Sequence, residues 1–204
     1  MMCSLVLSLP SWRKLAWPAL FLGSLLLTGC AGGTAPIHQY TLPNGPLSTR
    51  VAPVSAPAVM VMPVQLSGFL QGRGIMYQTS PLELNEARNH LWADDLGPQL
   101  DRTLNQALAA KLTQVRLLPG DSADTPALYA TVVLDRFQGR FDGKAVVSGQ
   151  YRLMNAERYV VATQPFIYEM PLRTDGYPAL IEALDQGWLQ MADQLANSIS
   201  HYAH

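Results

Sequence analysis

The stretch Ala127 to Met154, ALYATVVLDRFQGRFDGKAVVSGQYRLM, decides the fold. Ala127 to Phe137 is rich in β-branched residues, with Thr131, Val132 and Val133 in succession, and reads as a long strand. Asp142-Gly143 is a strong hairpin signal, because the favoured two-residue turns need a positive φ. Beyond it, polar Ser148, Gln150 and Arg152 alternate with Val147, Gly149, Tyr151 and Leu153 across Ala145 to Met154. That is the period of a half-buried strand. A second turn near Asn155 leads to a third strand over Tyr159 to Met170. The chain closes with a helix in which Tyr177, Leu180, Ile181, Leu184, Trp188, Met191, Leu195 and Ile199 keep i, i+3, i+4, i+7 spacing.

Upstream of the meander, Leu96, Leu100, Leu104, Leu108 and Leu112, joined by Ala107, share one face of another helix. Asp94 or Asp95 can cap it, with Pro98 in its first turn. Val115 to Leu118 is a short strand stopped by Pro119-Gly120, and Val59 to Met62 is a buried strand edged by Pro63. Strand character also runs from Ile75 to Trp92, turned at Ser80-Pro81. The helical crossover from Val59 to Leu118 is long enough to make its flanking strands parallel, whereas the later hairpins are antiparallel. These elements predict an α/β sandwich: a mixed, mostly antiparallel sheet covered by two main amphipathic helices.

Hydrophobic residues make up 49% of the 204-residue chain and charged ones 14%, a balance that can fill a core. Residues 1–29 do not read as part of that fold. Arg13 and Lys14 precede the uncharged stretch Leu15 to Leu27, which is shorter than the roughly 20 residues a spanning helix needs. This is the pattern of a cleaved signal peptide. It ends in Leu27-Thr28-Gly29-Cys30, which resembles the bacterial lipobox, so Cys30 is expected to carry lipid. Two or three acyl chains at ~0.8 kcal/mol per buried methylene hold a protein durably at a membrane. Cys3 leaves with the signal peptide, so Cys30 has no disulfide partner. Ala31, not Asp, follows it, and by resemblance to the Gram-negative sorting rule this implies outer-membrane delivery facing the periplasm.

Residues 30–57 then read as a lipidated tether and extended lead-in containing five prolines, and residues 58–204 as the folded domain. Gln39-Tyr40-Thr41-Leu42 is a strand-like interruption; should it dock, the free tether shrinks to about eight residues, or ~30 Å fully extended. Without residues 1–29, 12 basic residues face 15 acidic ones, a net −3 that argues against nucleic acid as a partner.

No catalytic motif is present: no G-x-S-x-G elbow, no P-loop and no H-E-x-x-H. Of His38, His90, His201 and His204, only the last two have ligand-like spacing, and they lie at a terminus. The expectation is a non-enzyme with no cofactor and no metal. The informative segment is Ser67 to Tyr77. Gly68, Phe69, Leu70, Arg73, Ile75, Met76 and Tyr77 place apolar groups among glycines, as a contact loop would, although Phe69 and Leu70 can equally fold back onto the core.

Gly68-Phe69-Leu70, Gly74 to Ser80 and Asn89-His90-Leu91-Trp92-Ala93-Asp94 resemble the ABC-type transport auxiliary lipoproteins, in particular the paraquat-inducible protein C (PqiC/YmbA-like) branch. Phe137 to Gly149, Asp175-Gly176-Tyr177 and Gln186-Gly187-Trp188 carry the same resemblance, so that it spans most of the mature chain. The resemblance implies an outer-membrane subunit of an MCE-type intermembrane lipid transport system that supports envelope integrity. Its implied partners are a periplasm-spanning MCE protein (PqiB-like), indirectly an inner-membrane protein (PqiA-like), and further copies of itself. The rival readings are a stand-alone periplasmic lipid- or solute-binding lipoprotein and an outer-membrane assembly lipoprotein.

Overall fold

A computed structural model describes residues 35–43, 45 and 51–203. In chain order these form β1 (His38–Tyr40), β2 (Ala58–Val61), β3 (Gln65–Leu66), β4 (Gly74–Ser80), β5 (Glu83–Trp92), helix α1 (Leu96–Lys111), β6 (Arg116–Pro119), β7 (Leu128–Arg140), β8 (Lys144–Asn155), β9 (Val160–Pro171) and helix α2 (Tyr177–Tyr202), with a 3₁₀ turn at Gly68–Leu70. The nine described strands make one mixed sheet covered by the two helices, as the patterning predicts, and both helices lie on one face.

β7 is the spine of the sheet. One of its edges carries the antiparallel ladders to β8 and then β9. Its other edge is shared along its length by three parallel strands: β2 pairs with residues 128–130, β3 with 133–134 and β4 with Gly139. β2 continues outward to parallel β6, and β4 to antiparallel β5 and then parallel β1. The β7–β8 turn has Gly143 at φ 76°, the left-handed conformation its Asp-Gly signature predicts.

The inward side chains follow period two along β8, with Val147, Tyr151 and Leu153 fully buried. β7 breaks that period. Leu128, Ala130, Val132 and Leu134 face the helices, and then a register shift between Leu134 and Arg136 hands the inner face to Phe137. The extra residue of a bulge reverses which parity points inward. The strand therefore continues to Arg140, past the Phe137 at which patterning ends it.

α1 buries its leucine stripe and two polar residues within it. Gln99 Oε1 accepts the Leu42 N–H (2.9 Å) and its Nε2 donates to the Asp94 carbonyl (2.8 Å). Thr103 Oγ1 accepts from Trp188 Nε1 (3.1 Å), joining α1 to the buried stripe of α2. Every polar atom in this joint is satisfied, so burying it costs little. Asp95 is the N-cap of α1 but makes no side-chain capping bond; Asp94 Oδ1 instead accepts the Asp95 N–H (2.9 Å). On the opposite face of the sheet, Ala58, Met60, Leu118 and Tyr129 form a smaller cluster, with the Arg158 guanidinium 3.6 Å over the Tyr129 ring.

The folded unit reaches back to Pro36, ahead of the Ala58 at which patterning starts the domain. β1 pairs with β5, and Leu42 is buried against α1. A three-residue strand before a proline is too short for its periodicity to reveal this, and only its partner strand defines it. Cys30 and residues 1–29 lie outside the described residues.

Candidate functional site

The Gly68–Tyr77 segment splits between surface and core. The 3₁₀ turn sends Phe69 outward (42% exposed) and Leu70 inward (2%). Ile75 and Met76 are buried in β4. This corrects the expectation of Leu70, Ile75 and Met76 as contact residues: the 3₁₀ turn folds Leu70 back onto the core, and Ile75 and Met76 lie in β4, the strand expected from Ile75. Gly68 and Phe69 remain on the surface. Arg73 is exposed but tied down, its guanidinium donating to the carbonyls of Trp92 (3.0 Å) and Ala93 (3.1 Å). The Gly74 N–H donates to Glu86 Oε1 (2.8 Å). Phe69 thus stands on a braced turn, which suits a rigid contact point.

Tyr77 belongs to a second feature that sequence spacing does not show. The β1–β5 register places His38 beside His90, with ring centroids 5.0 Å apart and the ring planes nearly parallel. His90 also stacks on Tyr177 at 3.8 Å, and its Nδ1 lies 2.9 Å from the Tyr40 hydroxyl. Tyr77 meets Tyr177 edge-on at 6.4 Å. Burial, then the neighbouring His38, lowers the His90 pKa, which favours a neutral ring whose Nδ1 can accept from Tyr40. Burial likewise raises the Tyr177 pKa. The stack clamps the N-terminal strand to β5 and to the start of α2. Residues 38, 90 and 177 are too far apart in sequence for any local motif to join them.

A third feature lies at the β7–β8 turn. Arg140 donates to Asp142 (2.8 and 2.7 Å) and to Glu169 (2.5 and 2.9 Å), and Lys144 Nζ donates to Glu169 Oε2 (3.1 Å). Hydrogen bonds from Arg140, then from Lys144, hold the Glu169 carboxyl down to about 2, and Arg140 holds Asp142 below the usual carboxylate range. The two cations and two carboxylates balance. Beside them Tyr77, Gly139, Phe141, Leu172, Tyr177 and Leu180 line an open, mainly apolar recess of about 280 Å³.

Among the described residues, no three His, Cys, Asp or Glu side chains come together as metal ligands. No helix among them is long and apolar enough to cross a membrane.

A family model described as the ABC-type transport auxiliary lipoprotein component matches residues 40–196. The intermembrane transport lipoprotein PqiC of Escherichia coli (strain K12) is 34% identical over 184 residues, covering 87% of this chain and 94% of that protein. PqiC of Shigella flexneri matches to the same extent. A crystal structure of an uncharacterised protein superposes with a TM-score of 0.70 at 30% identity, over 81% of this chain and 99% of the other. A protein from Xanthomonas campestris, 17% identical, shares the fold with a TM-score of 0.64, over 79% of this chain and 93% of its own.

Proposed function

Because this chain belongs to the ABC-type transport auxiliary lipoprotein family, we propose that it is the outer-membrane docking subunit of an MCE-type intermembrane lipid transport system. It is held by lipid on Cys30, receives the periplasm-spanning MCE (PqiB-like) protein and acts indirectly with the inner-membrane (PqiA-like) protein. The observation that carries this reading is the near full-length relationship to PqiC, an intermembrane transport lipoprotein. Two structural features support it. The strand after the tether is clamped into the sheet, so the domain stays within about eight residues of its anchor. The interior is filled by Trp92, Trp188, Tyr151 and Phe137, and the recess at the β7–β8 turn is shallow and open to solvent. A diffusing lipid carrier needs a long reach and an enclosed pocket; a docking part needs neither.

The docking partner is expected to touch the braced turn at Phe69. Affinity capture from envelope extracts with the full-length lipoprotein should retain the MCE protein, and Phe69→Ser should reduce that recovery while thermal unfolding stays unchanged. Equal recovery with the substitution removes Phe69 from the interface. A strict monomer that retains no MCE protein but carries lipid by itself overturns the docking role in favour of a stand-alone binding lipoprotein.

A further inference from the structure

Two exposed apolar side chains on the sheet's hairpins, Leu82 and Phe141, share one end of the molecule. Leu82, in the β4–β5 turn, is 99% exposed, and Phe141, in the β7–β8 turn, is 55% exposed. β4 and β7 are parallel neighbours with Tyr77 level with Gly139, so both strands run toward the same end and both turns project from it. The β8–β9 hairpin at the opposite end also exposes Tyr159 (71%) and Val160 (54%), so exposure by itself offers two ends that could meet another apolar phase.

The path of the chain distinguishes the two ends. β5 starts at that end, at Glu83, and runs away from it; β1 is parallel to β5, with His38 beside His90. The chain therefore arrives at His38 from the side of the hairpin tips. His90 lies seven residues into β5 from Glu83, about 23 Å at strand rise. The eight residues from Cys30 to Ile37 span at most ~28 Å. The tether is thus long enough for an acylated Cys30 to lie level with Leu82 and Phe141. The Phe69 turn precedes Gly74, at the other end of β4, about 20 Å from these tips.

We infer that the hairpin-tip end, through Leu82 and Phe141, rests in the interfacial layer of the bilayer that holds the Cys30 lipid, and so fixes the orientation of the domain on its membrane. The inference rests on the lipid anchor proposed above. The ion pairs at that end balance, Arg140 and Lys144 against Asp142 and Glu169, and exposed Glu83 adds a carboxylate beside Leu82, so the contact is apolar and gains nothing from anionic lipid.

The test uses the full mature, lipidated protein. With Cys3 removed alongside the signal peptide and the Cys30 sulfur acylated, Leu82→Cys or Phe141→Cys carries one free thiol for the polarity-sensitive fluorophore NBD. A Glu157→Cys variant, in the β8–β9 turn at the opposite end, serves as reference. Each protein is reconstituted into vesicles of phosphatidylethanolamine and phosphatidylcholine containing nitroxide-labelled lipid, with vesicle flotation measured in parallel. The probes at 82 and 141 should shift to the blue and be quenched by the lipid nitroxide, unchanged in high salt, while the probe at 157 keeps its aqueous spectrum. Flotation without quenching at 82 and 141, or with equal quenching at 157, overturns the orientation and leaves the anchor standing. Shielding of the probes at 82 and 141 by the MCE protein instead of by lipid also overturns it, in favour of a protein interface. Failure to float overturns the Cys30 anchor itself, and the orientation with it.

Discussion

A Cβ added at Gly149 would lie 2.0 Å from the Val133 carbonyl oxygen and 3.0 Å from Phe166 Cζ. Backbone cannot yield by that much, and Gly149 pairs with Leu134, just before the bulge where β7 changes face. Gly149→Ala is therefore expected to destabilise the fold by ~1–3 kcal/mol, the usual cost of overpacking, read as a lower urea midpoint. Phe69 and Leu70 likewise part at the scale of single positions. They are adjacent and both apolar, yet one is 42% exposed and the other 2%. Composition treats them alike; the 3₁₀ turn, with Gln71 N–H bonded to the Gly68 carbonyl, separates them.

The two helices illustrate how an element's exposed edge can carry a cost. On α2, Asp185 is half-buried, and burial alone pushes its carboxyl pKa up to about 6 from an ordinary 3.8. The folded chain thus holds this proton more tightly than the unfolded chain does. Its contribution favours folding fully below pH 3.8 and is lost as pH rises through about 6. Asp185→Asn should raise stability by about 1 kcal/mol near pH 7.5, a value reduced from the full linkage figure because the side chain keeps partial solvent contact, and should give no gain at pH 4. Urea unfolding at the two pH values checks this. A gain at pH 4 as well would trace to helix propensity and not to the charge. At the joint between the helices, Trp188 donates to Thr103 from within an otherwise apolar stripe, and this bond ties α1 to α2.

For the molecule as a whole, the governing relation is between the proposed short tether and a strand locked into the sheet. β1 is held by its ladder to β5, by the stacked rings of His38, His90 and Tyr177, and by the Ala93 N–H bonded to the Tyr40 carbonyl (2.8 Å). Cys30→Ser is expected to move the folded domain from the membrane pellet to the soluble periplasmic fraction, since no described helix can span a bilayer. Fractionation with immunodetection measures this. Persistent pelleting after removal of the MCE protein would transfer the anchoring role from Cys30 to another part of the chain.

By itself, the amino-acid sequence determined the Asp142-Gly143 hairpin, the three-strand meander, both amphipathic helices, the parallel crossover and the lipoprotein family. Each of these is written in a local period, a turn dipeptide or a contiguous motif, all of which act over a few residues. The tertiary structure alone decided the docking of β1, the change of face in β7, the burial of Leu70, Ile75 and Met76, and the stack of His38, His90 and Tyr177. It also decided the shared end of Leu82 and Phe141. The β1 docking, the ring stack and the shared hairpin end depend on which distant strands become neighbours, and the change of face in β7 depends on a bulge in its pairing with β8; no local period encodes either.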